Sequence, residues 1–76
     1  LMTALQNAVA RRDSHEIAGL AHRLRGSTGN FRAHSTTASA QQLEEIARRG
    51  DLANVETVWA DLDRHMAELL DGLRAL

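Results

Sequence analysis

One run of residues limits the folds open to this chain more than any other. Leu52, Val55, Trp59, Leu62, Met66, Leu69, Leu73 and Leu76 succeed one another at alternating spacings of three and four. That alternation lays a single apolar seam along about seven turns of helix. A seam of this length is unstable facing water, and in an antiparallel bundle the stripes of neighbouring helices cover it. The spacing therefore predicts a helix from about Leu52 to the end, packed as the fourth member of an all-α, antiparallel up-down four-helix bundle.

Three upstream segments supply the partners. The first, roughly Leu1 to Arg12, sets Leu1, Leu5, Ala8 and Val9 on one face and is short for a bundle helix. The second opens at Asp13, a capping residue with Glu16 three positions on as in a capping box, and runs to about Asn30. Its stripe is Ile17, Leu20, Ala21, Leu24, Thr28 and Phe31. The third lies within Ala33 to Arg49; its stripe of Thr36, Ala40, Leu43, Ile46 and Ala47 strengthens towards the C-terminal end, where Gly50 is a natural stop. Leu24, Leu43, Ile46, Trp59, Leu62 and Met66 are expected to meet in the core, and Phe31 and Trp59 to pack there rather than form a stacking platform. Glu44, Glu45, Arg48 and Arg49 form opposite-charge pairs at i, i+4, the usual dressing of an exposed helix face. Residues 1–76 read as one domain. Because the chain opens directly in a helical pattern, it reads as a module of a longer protein with its first helix short or truncated.

Composition narrows the function. There is no proline, no cysteine and no tyrosine, which suits helices and leaves neither a disulfide framework nor a thiolate zinc site. A reducing cytoplasm is the expected setting. Nine basic against ten acidic side chains leave a formal charge of -1, too balanced for a domain built to grip nucleic acid or anionic lipid. No apolar run approaches the roughly eighteen residues of a membrane span, and the start lacks the order of a signal peptide. A monomer with no nucleic-acid partner and no membrane insertion is expected.

The stretch AHRLRGSTGNF, residues 21–31, carries the chemistry. Gly19, Gly26 and Gly29 each cost about 1 kcal/mol in a helix interior, so something other than stability should explain them. Counting about 100° per residue, His22 lies about 150° from the centre of its helix's apolar stripe. Its neighbours one turn away are Ala18, Gly19, Arg25 and Gly26, with Gly29 a turn further on. The imidazole thus stands on a bare surface that another macromolecule can approach, and Arg25 puts a guanidinium within reach of anything attached to the ring. A neutral imidazole can attack phosphorus, and arginine offers a fork matched to phosphate oxygens. Taken alone, the pattern also fits an ordinary solvated histidine on a weak helix. It likewise leaves open a helical interaction or dimerisation bundle without chemistry, or, more weakly, a metal-binding bundle. The last suffers because His15 lies seven residues from His22, whereas a helical metal pair needs a spacing of about four. His34 and His65 read as solvated or capping residues.

His22, Arg23, Leu24, Arg25, Gly26 and Ser27 resemble the signature of the histidine phosphotransfer (HPt) domains of two-component phosphorelays: histidine, any residue, an apolar residue, Lys or Arg, glycine, and a small residue. The preceding AVARRD and the later LEEIARRGD extend the resemblance over nearly the whole chain. Arg32 stands where a glycine is common, and the third segment opens as HSTTASA where leucines are common. The resemblance implies that His22 is the phosphorylated residue, that Arg25 takes the place of the usual lysine and steadies the phosphoryl group, and that Ala18, Gly19, Arg23, Gly26 and Gly29 form the partner-binding surface. It implies a phosphorelay intermediate rather than an enzyme, free-standing or part of a hybrid sensor histidine kinase. His22 would take the phosphoryl group from an aspartate of one response-regulator receiver domain and pass it to another. The domain would have no cofactor of its own, Mg²⁺ being supplied by the receiver.

Overall fold

The computed structural model describes residues 1–28 and 34–74. Expectations placed on residues 29–33 and on Leu76, and on the side chains of Thr28 and Leu73, lie outside the described residues. Within them there are four helices and no strand: α1 (Met2–Arg11), α2 (Ser14–Thr28), α3 (His34–Arg48) and α4 (Val55–Arg74). Each packs against the next, α2 most extensively on α3, and α1 also touches α4. This is the neighbour order of an up-down bundle. The 38 × 18 × 17 Å envelope fits helices laid side by side, since the 20 residues of α4 span about 30 Å.

The predicted stripes build the core. Leu5, Ala8 and Val9 of α1, Ile17, Ala21 and Leu24 of α2, and Ala40, Leu43, Ile46 and Ala47 of α3 are all buried, with Thr36 beside them. On α4 the buried line is Val55, Val58 and Leu62. Trp59 and Met66, expected in the core, are half-buried against it. The line of closest contact passes through Val58, one position to the side of the expected seam, so the large indole lies at its edge. Leu70 remains exposed near the far end of α4. The 10 residues of α1 reach only about 15 Å, half the length of α4.

Two tight corners fix the chain path. At Arg12 the backbone turns left-handed (φ 55°, ψ 39°), and the N–H groups of Arg12 and Asp13 bond the carbonyls of Val9 and Ala8 at 3.0 and 3.1 Å. Gly50, at φ 69°, ends α3 as expected by the same pattern onto Ala47 and Ile46. Glycine takes this conformation freely, whereas Arg12 bears a Cβ penalty. Its guanidinium donates to the carbonyl of Leu52 at 2.8 Å, tying this corner to the approach to α4. Asp13 caps α2, its carboxylate accepting from the N–H of Glu16 at 3.2 Å. The return arm of the capping box does not form: the Asp13 N–H is already bonded to Ala8, and Glu16 pairs with Arg11. α4 begins at Val55, three residues later than the seam predicted. Leu52 packs on the core from a turn outside the helix, and the helical ladder opens with Val58 bonding the carbonyl of Asn54.

Candidate functional site

His22 lies on the outer half of α2 with its side chain 57% exposed. Gly19, Arg23 and Gly26 are exposed around it, and a Cβ built at Gly19 or Gly26 meets no atom within 4 Å. The bare surface expected beside the ring exists at these positions. Gly29 falls outside the described residues. Ala18 is a correction: expected on the bare face, it is 7% exposed and belongs to the core. The reason is the side from which α3 approaches. With Ala18 buried, the covered face of α2 is centred about 110° from His22 instead of about 150°, so the histidine stands at the edge of the α2–α3 contact.

That shift brings in a residue the motif does not contain. Glu44 of α3, expected among the solvated charges, is buried, its side chain 7% exposed. Its Oε2 lies 3.1 Å from Nδ1 of His22. The same oxygen accepts from Nε and Nη2 of Arg48 at 2.9 and 2.6 Å. Its other oxygen, Oε1, lies 3.5 Å from Nη2 of Arg25, which is also 3.3 Å from Nδ1 of His22. Burial alone would raise the Glu44 pKa, but the Arg48 hydrogen bonds and the charges of Arg25, His22 and Arg48 outweigh it and hold the carboxyl below its ordinary range. Glu44 is one turn from both Ala40 and Ala47, small residues of the apolar stripe that let α2 come close. That position was the available sequence signal for its burial.

Arg25 is therefore not a free cation. Its side chain is 34% exposed and leans on Glu44, on the Nδ1 side of the ring. Below it, Ser14, His15, Ala18, Ala47 and Arg48 line an open groove of about 320 Å³ along the α2–α3 seam. His34 is exposed, as expected, and so is His15. His65 is not simply solvated: half-buried on α4, its Nδ1 is 2.7 Å from Oγ of the buried Ser39.

A family model of the Hpt domain matches residues 1–76, the whole of the chain. The chain belongs to the Hpt family. No curated protein and no solved structure matches it. An Hpt domain is a histidine phosphotransfer module of phosphorelays rather than a self-contained enzyme, and it works with the receiver domains of response regulators. No described helix of this Hpt domain is long and apolar enough to cross a membrane.

Proposed function

We propose that His22 accepts a phosphoryl group from the aspartyl phosphate of one receiver domain and delivers it to the aspartate of another. A lone pair of the imidazole forms the N–P bond while the P–O bond to the aspartyl group breaks, its electron pair leaving with the carboxylate. The second transfer reverses these roles. The observation that carries this reading is the exposed His22 ring on a helix face kept bare by Gly19 and Gly26, where a folded partner can bring its own active site to the nitrogen. Arg25, one turn along, is the nearest guanidinium that can turn towards the phosphoryl oxygens, a contact for which its planar fork is suited. Gly19, Arg23 and Gly26 are the docking surface.

Among the described residues, the charged groups paired with His22 or with its Glu44 partner are two guanidiniums and one carboxylate already bound to them, a donor set that does not suit Mg²⁺. The receiver would bring the ion and a lysine to neutralise charge on the transferring group. The domain's own part is a positioned nucleophile and a docking surface, in the cytoplasm, alone or within a hybrid sensor kinase. Incubation with phosphorylated receivers tests the reading: acid-labile, base-stable label should appear on the domain and be lost in His22→Gln.

A further inference from the structure

We propose that the groove lined by Ser14, His15, Ala18, Ala47 and Arg48 is a second contact site for the receiver: it takes a carboxylate side chain of the docked partner against the guanidinium of Arg48, and so helps decide which receivers are accepted. This rests on the reading of His22 as the phosphoacceptor.

The groove continues the docking surface along α2. His15 precedes His22 by seven residues, which sets the two side chains within about 20° of each other and about 10 Å apart along the helix. Ala18 lies between them, one turn before His22. A protein–protein contact takes about 800 Å² from each partner, and the weak, transient ones somewhat less. Gly19, Arg23 and Gly26 cannot supply that area by themselves, so a receiver seated over His22 covers neighbouring residues too. On the His15 side the α2–α3 seam offers it a concave surface. Its volume of about 320 Å³ lies at the small end of the range for ligand clefts, which suits one protruding side chain rather than a helix.

The lining selects the chemistry of that side chain. Ala18 and Ala47, both buried, give the groove an apolar part that accepts a methylene stem. Arg48 is held through Nε and Nη2, which donate to one oxygen of Glu44, yet its side chain is 61% exposed. Its Nη1 bonds nothing among the described residues, so the guanidinium keeps free donors while its orientation is fixed. A cation fixed in this way loses little freedom on meeting an anion. Ser14 adds a hydroxyl and His15 an imidazole, both able to donate to a carboxylate. Among the described residues no acidic side chain lines the groove; nearby, Glu16 pairs with Arg11 and Asp13 caps α2. A carboxylate therefore meets complementary charge there, whereas a lysine or arginine at the same place on a wrong receiver meets like charge.

Heteronuclear NMR of the isotope-labelled domain, titrated with a receiver domain that phosphorylates His22, tests this. The backbone amides of Ser14, His15, Ala47 and Arg48 should shift together with those of Gly19, Arg23 and Gly26, and the side-chain Nε–H of Arg48 should shift with them. His15→Glu, which sets a carboxylate at the groove, should weaken receiver binding roughly fivefold, the size of one partly exposed charge pair, and the loss should shrink at high salt. His15→Gln should bind within about twofold of wild type, with helical content unchanged in both variants. If His15→Glu does not fold, the wild-type shifts carry the test. Silent groove amides in a complex whose Gly19, Arg23 and Gly26 amides move would overturn the groove while leaving His22 the phosphoacceptor. Moving groove amides with unaltered affinity in folded His15→Glu would overturn the carboxylate as occupant. Failure of wild-type His22 to take label from any phosphorylated receiver would overturn the groove and the phosphoacceptor reading together.

Discussion

Arg48 donates from two of its nitrogens, Nε and Nη2, to a single oxygen of Glu44, the same oxygen that meets Nδ1 of His22. His22 is thus tied through one buried carboxylate to the far end of α3. The arrangement has consequences for stability as well as for chemistry.

The first is acid sensitivity. Burial pushes the Glu44 pKa up, but the Arg48 hydrogen bonds and the surrounding positive charges bring it below the ordinary 4.5. In the unfolded chain it returns to that ordinary value. The contribution of the ionised carboxylate is therefore complete above 4.5 and is lost as the pH falls below it, where the unfolded chain takes up a proton that the folded one refuses. Denaturant titrations should show wild type more stable than Glu44→Gln near neutrality, with the gap narrowing towards about pH 3. A gap independent of pH would mean that Glu44 contributes through packing alone.

Gly26 separates docking from folding. A Cβ there meets no atom within 4 Å, so Gly26→Ala should stabilise the domain by up to about 1 kcal/mol through helix propensity. Gly26→Leu or Gly26→Gln should keep helical content and thermal stability yet sharply reduce receiver-dependent phosphorylation of His22. Normal transfer by a folded Gly26→Leu variant would remove the bare surface from the account and leave the glycine unexplained.

Arg25→Ala tests the phosphoryl contact. The guanidinium is partly exposed and its ion pair with Glu44 is long, so stability should fall by no more than about 1 kcal/mol. Phosphohistidine lifetime, or the rate of transfer, should fall more clearly. Unchanged transfer kinetics would reduce Arg25 to a partner of Glu44.

Packing gives a contrast between two leucines of α4. Leu62 is fully buried and Leu70 is 48% exposed. Leu62→Ala should cost about 2 to 5 kcal/mol, a large part of the roughly 4 to 11 kcal/mol expected for a domain of this size. Leu70→Ala should stay within about 0.5 kcal/mol of wild type. Similar thermal shifts for the two would contradict the burial pattern on α4.

Much of this molecule is legible in its sequence, because helix stripes are one-dimensional patterns. The four helices, the Gly50 stop, the Asp13 cap and the exposure of His22 all follow from spacing within one segment. What depends on how two helices approach each other is not written that way. Ala18 and Glu44 look like surface positions on their own helices, and both are buried because α3 crosses α2 on the His22 side. Val58 replaces Trp59 in the deepest line of α4 for the same kind of reason. α4 starts later than its stripe indicates, because Leu52 obeys the seam's spacing while packing from a turn. The half-formed capping box reflects a backbone hydrogen bond to Ala8 that no local motif announces.

Passage of a phosphoryl group through His22 is put to the test by a chase experiment. The domain is labelled from one phosphorylated receiver, isolated, and mixed with a second, unphosphorylated receiver. Label on His22 should be acid-labile and base-stable at the start, should move to the second receiver as a base-labile acyl phosphate, and should be absent throughout in His22→Gln. Label that maps to another residue, that persists in His22→Gln, or that remains on the domain or is lost to water with every receiver offered would contradict the relay.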